Sequence, residues 1–192
     1  MKRFLTLLSA LLITAAAGAA TTEYKLDSSH TKVGFSVSHM VVSTVSGRFT
    51  KATAQVSVDD QDLTKSSVSV EIQAASVNTD EAARDEHLRG SDFFDVKKFP
   101  TIKFKSTKIV KVGKKYALSG DLTIRDVTKS VTLDATISDL VKTPFNTQIR
   151  AVTLGGKIKR SDFGLKWNKV LDAGGLAVGD EVTLDITAEI VK

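Results

Sequence analysis

Three histidines, His30, His39 and His87, are the first residues to weigh for chemistry, because imidazole is the side chain that ordinarily titrates near neutral pH. His87 lies in the run Arg84-Asp85-Glu86-His87-Leu88-Arg89, where a carboxylate beside an imidazole would make an acid/base pair. Consecutive residues on a helix point to different sides, however, and a solvated, salt-paired helix surface accounts for the same charges. No two histidines have the spacing of a helix-borne zinc pair and no H-x-H occurs, so a metal site would need tertiary assembly. His39 shares its phase with Phe35 and Val37, which marks a hydrogen-bonded interior histidine rather than a ligand. The chain has no Cys, which removes thiol nucleophiles and thiolate metal sites. There is no G-x-S-x-G elbow, and the glycines form no phosphate loop. Asp59-Asp60-Gln61-Asp62 lacks the alternating ligands and central Gly of a calcium loop and reads as a surface turn. The expectation is a protein that is not an enzyme and has no metal site.

The elements that would position these residues are strands. Val33, Phe35 and Val37 alternate with Lys32, Gly34, Ser36 and Ser38, as in a strand with one wet face. Met40-Val41-Val42 break that phase and read as a bulge, and Gly47 bends the chain toward Phe49. Further alternating runs occur around Val56, Val68 to Ile72, Ile102 to Val112, Tyr116 to Ile124, Val131 to Ile137, Ile149 to Ile158, Phe163 to Trp167 and Val182 to Ile190. Loops this short leave no room for crossover helices, so the sheet of about eight strands is antiparallel. A barrel and a two-sheet sandwich both satisfy the pattern, and the length of the strands favours the barrel. Asn78 to Phe104 is the exception to the alternation. A short helical segment around residues 79–94, capped by Asn78 with Glu81, is stopped by Gly90 and followed by Phe93-Phe94, and Pro100 returns the chain to a strand.

Met1-Lys2-Arg3 followed by an apolar run from Phe4 to Ala17 reads as a secretory signal peptide over residues 1–19, cleaved after Ala19 or Ala20. Residues 20–192 then form a single exported domain, held together by packing and not by disulfides. Losing Lys2 and Arg3 takes the 27 basic residues to 25 against 22 acids, a net charge of +3 in place of +5. Those charges are scattered singly along polar phases, which argues against nucleic acid as a partner. A barrel of this strand number either packs solid or holds one small ligand. His39 and Met40 among the inward residues favour a ligand, since an apolar pocket needs a few polar or adaptable groups.

Several motifs in order resemble the YceI-like family of bacterial periplasmic proteins. They are Thr31-Lys32-Val33-Gly34-Phe35-Ser36-Val37-Ser38-His39, Ser46-Gly47-Arg48-Phe49, Arg84-Asp85-Glu86-His87-Leu88, Asp92-Phe93-Phe94-Asp95, Phe99-Pro100 with Phe104, and Arg160-Ser161-Asp162-Phe163-Gly164-Leu165. The resemblance spans essentially the whole mature chain. It implies an all-β fold, an extended eight-stranded antiparallel lipocalin-like β-barrel with a helical segment near its mouth. It also implies an elongated apolar cavity for a polyisoprenoid, such as an isoprenoid quinone or a prenyl pyrophosphate, or another long amphipathic lipid. Such a lipid would co-purify, no other cofactor is implied, and catalysis is not. Family members have been linked to stress responses and form homodimers, and a lipid cargo implies transient contact with a membrane. The lipid tail is expected against Phe35, Val37, His39, Met40, Phe49, Leu88, Phe93, Phe94, Phe104, Phe163, Leu165 and Trp167, with the head group reached by Arg84, His87 or Arg89. The competing expectation is a solidly packed barrel serving as a structural or stress-related interaction module.

Overall fold

The computed structural model describes residues 21–172 and 174–192, so the signal peptide expected over residues 1–19 lies outside the described residues. Its first strand, β1 (Thr22–His39), runs the full length of the molecule and pairs with β2 (Ser43–Phe49) and β3 (Ala52–Val58), which follow one another along the same edge. β4 (Ser67–Gln73) and β5 (Val77–Asn78) continue the wall in the same stepwise way, β4 beside β3 and β5 beside β2. β6 (Thr101–Val112), β7 (Lys115–Ile124), β8 (Val127–Ile137), β10 (Gln148–Lys159) and β11 (Val178–Val191) complete the circuit, while the two-residue β9 (Val141–Lys142) only flanks β10. Every pairing is antiparallel, and β11 closes on β1, so eight wall positions form a barrel with extra short strands. Closure leaves no long unpaired edge on the main wall.

The alternation survives in detail, with one phase change. Asp27 to Lys32 on β1 oppose only Glu189 to Thr187 on β11, a bulge that moves the inward phase from Tyr24 and Leu26 to Val33, Phe35 and Val37. Asp27-Ser28-Ser29, polar residues whose composition reads as a turn closing a first short strand at Tyr24 and Leu26, is therefore part of a bulged strand. The second correction concerns Met40. Met40-Val41-Val42 is the β1–β2 turn, closed by Val42 N–H donating to His39 O at 3.2 Å. Met40 and Val41 have φ of 52° and 64°, the hand of primed hairpin turns that suit Asn and Gly. A β-branched residue held there costs on the order of 1–3 kcal/mol.

At the end of the barrel where β1 stops and β6 begins, the chain builds a cap. The helix α1 (Ala82–Arg89) is capped by Glu81, whose side chain accepts from Ala83 N–H, while Asn78 instead accepts from Asp80 N–H. Asp85 is the buried residue of the helix and accepts from both the backbone N–H and the hydroxyl of Thr79, at 2.8 and 2.6 Å. Ala83, an apolar residue that by composition alone belongs toward the barrel, is exposed. Arg89 donates to Ala75 O and Val77 O, tying the helix to the turn between β4 and β5. Among the described residues no helix is long and apolar enough to cross a membrane.

Candidate functional site

Inward residues of the strands fail to fill the barrel. Val33, Val37, Val70, Leu154, Val182 and Ile186 all face the interior yet are only half-buried, because they border unfilled space and not one another. Two apolar chambers lie along the axis. The one at the helix end has about 1290 Å³ of unfilled space, counted out to its opening, and the one at the far end about 930 Å³. As enclosed cavities they measure about 140 Å³ at the far end and about 220 Å³ at the helix end, so only the two together reach the ~300–1,000 Å³ of ordinary small-molecule pockets. They share Val33, Val70, Leu154 and Ile186 in their walls, so these four residues form a waist between them.

Glycines shape the helix-end chamber by letting large rings lie flat on the wall. A Cβ at Gly47 would fall 2.5 Å from Phe35 Cζ, and one at Gly120 would fall 2.4 Å from Phe104 Cζ and 2.5 Å from Lys105 O. The aromatic rings then chain together from wall to cap, with Phe35 to Phe49 at 5.6 Å and Phe49 to Phe94 at 5.5 Å between centroids. A second aromatic group clamps the cap onto the lining: His87, outside the chamber, meets Phe93 of the lining at 5.0 Å and Trp167 at 4.8 Å, both edge-on.

Of the residues expected to hold the tail, Phe35, Val37, Phe49, Leu88, Phe93, Phe94, Phe104 and Leu165 are brought together around this chamber. Four others fall outside its lining. Phe163 is buried in the core at 1% exposure, behind the wall. His39 is the last residue of β1, and Met40 follows it in the exposed turn. Trp167 backs Phe93 at 5.3 Å. The cap polar groups are engaged elsewhere, with Arg84 donating to the Thr79 hydroxyl and carbonyl and His87 bonded to Asp92 at 3.0 Å. The inward phase ends one residue earlier than sequence periodicity suggests, because apolar residues occupy the turn itself.

Sequence reasoning passed over two buried arginines, and both line the interior. Arg150 stands on the inward phase of β10 with Val152 and Leu154, borders the far chamber, and pairs with Asp60 at 2.9 Å. Tyr24 and Lys192 also bond Asp60, which makes a charged cluster at the far end. Burial pushes the Asp60 carboxyl up, but hydrogen bonds from Lys192, Arg150 and Tyr24 outweigh it and hold the carboxyl at about 2. The acidic run Asp59 to Asp62 is thus no simple surface turn, since Asp59 is itself 5% exposed and accepts from Gln61 and Asp62 N–H.

Arg160, in the 3-10 turn Arg160–Phe163, borders the helix-end chamber and has no carboxylate bonded to it. Its donors go to the carbonyls of Gly179, Leu165, Trp167 and Val178 at 2.5 to 3.3 Å. Burial pushes its pKa down, opposed by the Asp180 charge. A guanidinium keeps its proton even so, and the helix-end chamber therefore carries positive potential where the far chamber's cation is neutralised. The exposed cluster Asp27, His30 and Glu189 sits on the outer face at the β1 bulge, where the Asp27 hydrogen bond raises the His30 pKa.

A closed antiparallel barrel around a long apolar hollow, capped at one end and crossed by charge at the other, defines a ligand-binding barrel. The YceI-like domain matches residues 24–190, and the chain belongs to that family. The family's barrel is a binding fold and not a catalytic one. A UPF0312 protein of Photorhabdus laumondii, plu2095, is 36% identical over 167 residues, covering 86% of this chain and 87% of its own. Among solved structures, BcnA of Burkholderia cenocepacia superimposes with a TM-score of 0.75 at 27% identity, over 85% of this chain and 98% of that one. A polyisoprenoid binding domain from Saccharophagus degradans shares the fold alone, with a TM-score of 0.60 at 16% identity over 87% of this chain and 97% of that one.

Proposed function

We propose that the protein is a periplasmic binder of a long-chain amphipathic lipid of the polyisoprenoid class, an isoprenoid quinone or prenyl pyrophosphate, that sequesters, carries or stores it in the barrel. The observation that carries the reading is the pair of apolar chambers sharing one waist, a shape matched to a long flexible tail and not to a compact solute. Half-buried inward residues argue against the solidly packed alternative. The polyisoprenoid class is favoured by the function named for the Saccharophagus domain, and periplasmic location by the leader at residues 1–19. Burial of a tail is worth about 0.8 kcal/mol per methylene against water, so the protein need only match a membrane to keep such a lipid dispersed. Titrating delipidated protein with a polyprenyl alcohol against a displaceable fluorescent fatty acid tests this. One-to-one displacement is expected, and a folded protein that takes up neither the probe nor the alcohol would refute it.

A further inference from the structure

Five large apolar side chains cluster on the surface at the helix end of the barrel. Met40, Val41 and Val42 in the β1–β2 turn, with Val170 and Leu176 in the loop before β11, are 42% to 88% exposed. The two segments are far apart in sequence but joined in space. Met40 N–H donates to Ala177 O at 2.8 Å, and an added Cβ at Gly175 would meet Val41 Cγ2 at 3.2 Å. Val170 and Leu176 pair across their own loop. The strands that carry this tip also wall the chamber, since Val37 and Val178 border it. Solvation and backbone both disfavour the arrangement, because Val41 is strained at φ 64° only to point an apolar side chain outward.

We infer that this tip is a membrane-docking element that seats the helix end of the barrel on a lipid bilayer. The inference rests on the barrel being a lipid binder, because it gives the chamber a source and a destination for its cargo. A bilayer suits the tip better than a second protein chain does. Five side chains expose on the order of 500 Å², within the range of patches that are functional on monomers, but short of the roughly 800 Å² per partner of a stable interface. Two turn tips are convex and insert between head groups, where a dimer contact would need a self-complementary face. Lys166 and Lys169 flank the tip and Asp172 opposes them, so attachment is apolar and depends little on salt. Phe145 is as exposed as any of these, yet it stands at the other end of the barrel, in the loop before β10, with the cluster of Asp60, Arg150 and Lys192.

Co-sedimentation of the purified protein with phosphatidylcholine vesicles tests the tip. The protein should partition onto the vesicles at low and high salt alike, and a Val41→Asn, Val42→Ser double variant should lose at least about tenfold in partitioning. Val41→Asn alone should leave the thermal midpoint unchanged or raise it, because Asn tolerates positive φ. Equal partitioning of the two proteins overturns the inference, as does binding abolished by salt. A concentration-dependent dimer that the double variant loses would also overturn it and make the tip a protein interface. Loading from detergent micelles separates the two readings. Wild type and variant should take up a polyprenyl alcohol equally, and if neither does, the lipid-binding reading fails while the vesicle result still decides the tip.

Discussion

Blocking the waist should shorten the longest tail the protein can hold. Leu154 borders both chambers and is only half-buried beside their unfilled space, so Leu154→Trp has room to lay an indole across the passage without breaking β10. On β11 the far chamber extends from Ile186 to Ile190, which at ~3.3 Å per residue and a ~40° tilt is about 10 Å of axial path, or about eight methylenes. Eight methylenes are worth about 6 kcal/mol of gross burial. Ordering the chain offsets part of that, and halving it leaves about 3 kcal/mol, or roughly a hundredfold in Kd. The assay is competition binding with a homologous series of n-alkyl or prenyl chains. Wild-type affinity should climb with length through both chambers, while the variant should match it for short chains and stop improving where the waist is reached. The same length dependence in both proteins would refute a continuous tunnel, and equal loss at every length would mean that the substitution merely damages the barrel.

Three further outcomes follow from the same geometry. Gly120→Ala should destabilise by about 1–3 kcal/mol in urea unfolding, because its Cβ would press on Phe104 and on the Lys105 backbone, which cannot simply swing aside. Asp60 has a folded pKa depressed to about 2, below the ordinary aspartate value of about 3.9, so it contributes on the order of 2 kcal/mol above the unfolded pKa, lost as pH falls through the folded one. Asp60→Asn should therefore flatten the loss of stability between about pH 4 and pH 2 in acid titrations followed by circular dichroism. The charge of Arg160, which no carboxylate among the described residues bonds and Asp180 offsets only from a distance, should make an alkyl carboxylate bind at least about tenfold tighter than the amine of equal length. Equal affinities would show that four backbone carbonyls screen the guanidinium completely.

How far the sequence reveals this molecule depends on which force sets each feature. Alternation at Val33, Phe35 and Val37, and from Val182 to Ile190, is legible because a strand with one wet face must repeat every second residue. The Phe93-Phe94 pair reads as a cover for the same reason that it is one: two adjacent rings need a roof over an apolar space. Met40 reads as inward because a run of apolar residues that breaks the alternation looks like a bulge within a strand as much as a turn that ends it. The bulge after Asp27 is hidden for the opposite reason, since its polar residues look like a turn. Arg150 is passed over because a single cation between apolar residues carries no sign of its partner, and it meets Asp60 only when the barrel closes. Ala83 and Asp85 exchanged roles because Asp85 reaches back to Thr79, a bond that helical periodicity does not register. The hollow itself is invisible to periodicity, which marks a residue as inward without saying whether anything meets it there.

Native mass spectrometry of the protein purified from its host, without detergent, tests the central claim most directly. A folded protein carrying one long-chain, predominantly hydrocarbon adduct per barrel, recoverable by organic extraction, is the predicted result. A folded, unmodified protein that carries no adduct and yields no long-chain species on extraction would contradict it.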